Sequence, residues 1–198
     1  MFYRLIVPWF AALMMLAPLN QAWALDPATF ISEFSQKSIS DILAAEIPDK
    51  EKQRRFRAMF EEYFDVPYIG RFVLGRYWRL TSAEQKEKFN ALFGDVIVQT
   101  WLRRFSEFNG QSLQVSSTVS DGDKGAIVKS EIIGNNGTTI RVNWRLRVRN
   151  PEYQVVDVIV EGVSMAITYR QEYSTVITRV GGFDGLLNEM QKKVTGQK

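Results

Sequence analysis

The stretch TTIRVNWRLRVRN, residues 138–150, decides the fold class. Ile140, Val142, Trp144, Leu146 and Val148 point one way, and Arg141, Asn143, Arg145, Arg147 and Arg149 the other. That period of two makes a strand with one dry and one wet face. Similar runs lie at about 112–120, 126–134 and 153–162, joined by the turn sequences Asp121-Gly122-Asp123, Asn135-Asn136-Gly137 and Asn150-Pro151-Glu152. Connections this short predict an antiparallel meander of four strands.

On both sides of the meander the apolar period changes to that of a helix. A first helix is expected from Pro27 to Ala45, with Pro in its first turn, and a second from Asp49 that sets Phe56, Phe60, Tyr63 and Phe64 on one side. Residues 65–74 read as a short separate helix opened by Pro67. Thr81 and Glu84 have the spacing of a capping box. After them Phe89, Leu92, Phe93, Val96, Ile97, Thr100, Trp101 and Phe105 repeat at helical spacing. Beyond the strands, residues 164–180 carry the stripe Met165, Tyr169, Tyr173, Val176 and Val180; a Gly181-Gly182 break follows, then a last helix over 184–194. Helices, strands, then helices, with no long linker, read as one α+β domain.

The first 24 residues have the form of a secretory leader: Arg4, an apolar run from Leu5 to Leu19 broken by Pro8 and Pro18, and the small-residue exit Ala22-Trp23-Ala24. The run is 15 residues, and a spanning helix needs about 20. Cleavage after Ala24 is therefore expected, leaving a single domain at 25–198. Arg4 is the only charged residue of the leader, so the exported part carries 24 basic and 22 acidic side chains. That balance does not suit a dedicated nucleic-acid binder. Its 174 residues bury roughly 70% of their unfolded surface without disulfides.

Cys and His are both absent, which removes thiolate chemistry, His-based triads and the usual zinc sites. Asp157 and Glu161 share a strand face but stand about 13 Å apart along it, too far for the ~5 to 9.5 Å of paired glycosidase carboxylates. Their expected role is pairing with the Arg face of the preceding strand. Asp121-Gly122-Asp123 resembles the start of a calcium loop, but the twelfth position is Ile132, where a bidentate Glu is required. The Asn136-Gly137-Thr138 sequon reads as a tight turn needing positive φ. No catalytic and no metal-binding constellation is expected.

Two basic groups have two readings each. The row Arg141, Arg145, Arg147 and Arg149 fits either a solvated face with local pairs or a surface for anionic headgroups or an acidic partner. Arg71, Arg76 and Arg79, interleaved with Phe72, Tyr77 and Trp78, fit either a lipid interface or helix packing with snorkelling Arg. The apolar stripes likewise fit an ordinary core or a ligand pocket. The exported part contains eleven Phe, six Tyr and three Trp, and such bulky groups can hold layers apart as well as fill the space between them.

Particular stretches go further. Phe64-Asp65-Val66-Pro67-Tyr68-Ile69-Gly70-Arg71-Phe72-Val73-Leu74-Gly75-Arg76-Tyr77-Trp78-Arg79-Leu80-Thr81, followed by Gln85 and Phe89, resembles the core signature of MlaC-type proteins, also called toluene-tolerance auxiliary components. Asp157-Val158-Ile159-Val160-Glu161-Gly162-Val163-Ser164-Met165, followed by Tyr169 and Gly182-Phe183-Asp184-Gly185-Leu186-Leu187, resembles that family's second signature.

The resemblance implies a nuclear-transport-factor-like α+β fold, with helices packed on a curved four-stranded antiparallel sheet that encloses an apolar pocket. It implies a monomeric periplasmic phospholipid carrier without a cofactor. Such a carrier shuttles between an outer-membrane lipoprotein complex and an inner-membrane ABC transporter with an MCE domain, maintaining outer-membrane lipid asymmetry. A hopanoid or another apolar lipid, or a non-catalytic interaction module, is the alternative. Carried over by position, the implied lipid-binding residues are Phe72, Val73, Tyr77, Trp78, Phe93, Val96, Trp101, Trp144, Leu146, Val158, Val160, Met165 and Tyr169. Arg71, Arg76, Arg145 and Arg147 are the candidate headgroup or partner surface. Gly70 and Gly75 are expected to serve backbone geometry.

Overall fold

The structure, a computed structural model, describes residues 26–105, 110–123, 125–149 and 152–196. The leader and its exit after Ala24 lie outside these residues, as do Lys124, the Asn150-Pro151 turn and the Phe105 side chain. Four helices precede the sheet: α1 (Pro27–Ser38), α2 (Asp49–Tyr63), α3 (Val66–Leu74) and α4 (Ala83–Phe105). The strands are β1 (Ser112–Ser120), β2 (Gly125–Ile133), β3 (Thr139–Arg149), β4 (Glu152–Val160) and β5 (Val163–Ser164). Two helices follow, α5 (Met165–Arg179) and α6 (Phe183–Thr195).

The α+β class and the antiparallel meander are as expected, with one strand more than the four read from the sequence. The sheet order is β1-β2-β3-β4-β5. The fifth strand exists because the chain reverses at Glu161 and Gly162, whose φ values are 47° and 82°, and sets Val163 and Ser164 against Val160 and Ile159. Two residues carry no period, so nothing in the pattern announces them.

β3 keeps the predicted alternation, with Val142, Trp144 and Leu146 buried. Opposite it, β4 has one extra residue: Arg145 pairs with Asp157 and Leu146 with Val155, leaving Val156 as a bulge. A bulge bends its strand and interrupts the alternation, and Val155, Val156 and Asp157 are consecutively buried. The Asn136 turn behaves as its sequence requires, with Gly137 at φ 79° and Thr138 N donating to Asn136 Oδ1 at 3.0 Å.

Two local expectations shift. The first helix stops being α-helical at Ser38 and continues as a π-helical turn, Ile39–Leu43, closed by Ala44 N donating to Ile39 O at 2.9 Å. The capping box of α4 is Ser82 with Gln85, one residue later than Thr81 with Glu84. Gln85 N donates to Ser82 Oγ at 3.1 Å and Ser82 N to Gln85 Oε1 at 3.0 Å. Thr81 is instead buried, its hydroxyl donating to Trp78 O at the end of a 3-10 segment, Gly75–Leu80.

The buried residues form two groups. One lies among the helices and includes Phe56, Phe60, Val73, Phe89, Phe93 and Leu186; the other holds Ile31 from α1 and the sheet residues Val128, Val142, Trp144, Leu146 and Val155. Phe30, Phe34 and Phe64 pack against both.

Candidate functional site

Between these two groups the packing is incomplete. Phe34 is the post of the gap: its ring centroid lies 5.1 Å from that of Tyr63, 5.7 Å from Phe64 and 5.4 Å from Trp144. Phe60 supports Phe64 at 4.6 Å. Rings this bulky, braced at tilted and edge-to-face angles, keep helix and sheet layers apart. The Trp144 ring is held in place because its Nε1–H donates to Ser130 Oγ at 3.0 Å, while that hydroxyl donates to Val142 O at 2.6 Å.

The result is a cavity of about 580 Å³, within the ~300 to 1,000 Å³ of ligand pockets. α1 and its π-helical turn supply Phe34, Ile39 and Leu43; α2 supplies Phe56, Met59 and Phe60; α4 supplies Phe93, Ile97 and Trp101. The sheet supplies Leu113, Ile132, Ile140, Val142, Trp144, Val156, Val158 and Val160, and α5 contributes Met165, Ala166 and Tyr169. Ile140 is 40% exposed and Ser112 is exposed, and both belong to the end of the sheet where β1 and β3 begin and β2 ends. The cavity therefore reaches solvent there. Its polar lining is Ser35, Ser38, Gln111, Ser112 and Asp157; among the described residues no Lys or Arg lines it.

Seven of the sequence-derived candidates meet here: Phe93, Trp101, Trp144, Val158, Val160, Met165 and Tyr169. The others stand elsewhere. Val73 and Val96 are packed inside the helical group, and Leu146 is fully buried in the sheet group. Phe72 lies under the Arg170 guanidinium at 5.2 Å, and Trp78 under the Lys86 ammonium at 5.3 Å. Tyr77 accepts a hydrogen bond from Arg76 Nη2 at 2.9 Å. The reason is geometric: a helix buried on several sides has the same apolar period whether a neighbour or a void lies opposite. The lining of α2 was announced by Phe56, Phe60 and Phe64 on one side, but no spacing distinguished it from core.

The Arg row takes the local-pair form. Arg141 meets Glu161 at 2.9 Å, Arg147 meets Asp121 at 2.7 Å and Arg149 meets Asp65 at 2.8 Å. Arg145 Nε lies 3.2 Å from Asp121 Oδ2 without the alignment of a hydrogen bond, and its Nη1 is 3.8 Å from Asp157. Hydrogen bonds from the Arg141 backbone and guanidinium hold the Glu161 carboxyl below its ordinary pKa. Arg71 and Arg76 are exposed. Among the described residues, no three His, Cys, Asp or Glu side chains are grouped to hold a metal ion, and no helix is long and apolar enough to cross a membrane.

Tyr77 gives a direct check of the 3-10 segment. Hydrogen bonding by Arg76, then Thr178 and Ser174, pulls its pKa down to about 8, while burial pushes Tyr173 up. An ultraviolet titration should show tyrosinate forming near pH 8, below the ~10 of an ordinary tyrosine, and Tyr77→Phe should remove that first step. Survival of the step in the variant would assign it to another ring.

The family model described as "MlaC protein" matches residues 32–192. The chain belongs to the MlaC family. The intermembrane phospholipid transport system binding protein MlaC of Haemophilus influenzae is 29% identical over 177 residues, 85% of this chain and 82% of that protein. The toluene tolerance protein ttg2D of Pseudomonas putida is 27% identical over 121 residues, 61% of this chain and 54% of that one. The fold is also that of a phospholipid-binding protein from Ralstonia solanacearum, solved in complex with a phospholipid. The TM-score is 0.69 and the identity 18%, covering 84% of this chain and 97% of that one.

Within the MlaC fold the first signature stretch has a legible construction. Asp65 caps α3, accepting from Tyr68 N at 3.0 Å, and its other oxygen accepts from Arg149 Nε at 2.8 Å. Its own N–H donates to Val155 O at 3.1 Å, so one residue ties α3 to β3 and β4. Gly70 lets α3 approach α4, since a Cβ there would stand 2.5 Å from Asn90 Oδ1. Gly75 ends α3 at φ 54°, with the Arg170 guanidinium filling the space a side chain would need.

Proposed function

We propose that this protein is a monomeric periplasmic carrier, a single lipid-binding domain spanning 25–198 after cleavage at Ala24, that holds phospholipid tails in the cavity described above. The supporting observation is the cavity itself: about 580 Å³, almost wholly apolar, open at one end of the sheet. Each buried methylene contributes about 0.8 kcal/mol, so a sixteen-carbon tail in water costs on the order of 12 kcal/mol. Spontaneous desorption of a two-tailed lipid is negligible on that scale. A carrier replaces the bilayer with its own apolar walls and leaves the headgroup near water at the open end.

In the cell this carrier receives and delivers its lipid between an outer-membrane lipoprotein complex and an inner-membrane ABC transporter with an MCE domain, which sustains lipid asymmetry. The protein needs no cofactor, since phospholipid is cargo, and it performs no catalysis. Native mass spectrometry of protein isolated from its own periplasm without detergent is expected to show an added phospholipid mass. A hopanoid mass would keep the carrier and change its cargo. Lipid-free protein that also takes up none from vesicles would overturn the reading.

A further inference from the structure

Asp157 is the one charged residue bordering the cavity among the described residues, and it is 6% exposed. By register it belongs with Arg145, and pairing with the Arg face accounts for only part of its surroundings. Its Oδ2 accepts from Ser164 Oγ at 2.6 Å and its Oδ1 from Ala166 N at 3.0 Å, while the Arg145 guanidinium stands farther off at 3.8 Å. Ser164 is itself the N-cap of α5, its hydroxyl accepting from Ile167 N at 3.1 Å. The carboxylate therefore accepts from one N–H at the start of a helix, where negative charge is favoured.

This places the bond where the cavity wall is joined. Val156 and Val158, flanking Asp157, line the sheet side; Met165, Ala166 and Tyr169, following Ser164, line the helix side. Between them β5 pairs only two residues with β4, so the ladder alone holds the start of α5 weakly. We propose that Asp157 is a positioning residue for cargo retention. Its buried carboxylate fastens the first turn of α5 to β4, and so sets how long an apolar lipid stays enclosed. The proposal rests on the carrier reading above.

The test loads the protein with phosphatidylglycerol bearing a fluorescent tail. Release is then followed into unlabelled vesicles of phosphatidylethanolamine and phosphatidylglycerol. Asp157→Ala is expected to release about tenfold faster than wild type, the loss of hydrogen bonds to a buried charge. Asp157→Asn retains an acceptor for Ala166 and a partner for Ser164, and is expected to stay near wild type. Val128→Ala, in the sheet core and not among the residues that line the cavity, controls for general destabilisation. If Asp157→Ala does not fold, Ser164→Ala carries the test, with faster release than Val128→Ala.

Release from Asp157→Ala or Ser164→Ala no faster than from Val128→Ala would overturn the role of Asp157. Wild-type protein that takes up no probe would instead overturn the carrier reading, so the two failures are separable.

Discussion

Replacement of Val158 by Asp should empty the cavity while leaving the fold in place. Val158 lies on β4 opposite Trp144, is half-buried and lines the cavity from the sheet side. A carboxylate at that point is tolerable when water fills the space and intolerable when hydrocarbon does, because an unpaired charge in apolar surroundings costs several kcal/mol. No Lys or Arg among the described lining residues is placed to neutralise it. Lipid occupancy is expected to fall by about a hundredfold or more. Native mass spectrometry reads the occupancy and far-ultraviolet circular dichroism the fold. Full occupancy in a folded Val158→Asp variant would mean that the tails lie elsewhere.

The sheet was the most legible part of the chain because a half-buried strand writes its two environments in alternate residues. Residues 138–150 named both faces, and the structure buries Val142, Trp144 and Leu146 on the dry one. What escaped were features without a period. A single extra residue, Val156, breaks the alternation of β4, and two residues make β5. The π-helical turn at Ile39 changes the phase of a helix without a Gly or Pro to mark it. At the start of α4 two acceptors with box spacing compete, and Ser82 takes the cap because Thr81 is buried with its hydroxyl on the Trp78 carbonyl.

The site was half legible for a related reason. Phe93 and Val96 lie on one stripe of α4, yet Phe93 borders the cavity and Val96 fills the helical core. Hydrophobicity measures removal from water and says nothing of whether protein or void lies opposite. The void lies where Phe34 packs between the layers against Phe64 and Trp144, and no sequence period records that.

That distinction is sharpest on β3, where Trp144 and Leu146 point the same way and were both read as lipid contacts. Trp144 borders the cavity; Leu146 is fully buried in one cluster with Val128 and Val155 and is not among the lining residues. Leu146→Ala is therefore expected to cost about 2 to 5 kcal/mol of stability, a large share of the ~5 to 15 kcal/mol a domain of this kind possesses. Urea unfolding of delipidated protein should show a lower midpoint with an unchanged slope. Delipidation matters because a ligand bound to the native state adds its own stabilisation and would mask the loss. In the folded fraction lipid release should match wild type, the reverse of the Val158→Asp result. Faster release without a lower midpoint would extend the cavity past Trp144 to Leu146, and would return Leu146 to the lining that sequence position alone suggested.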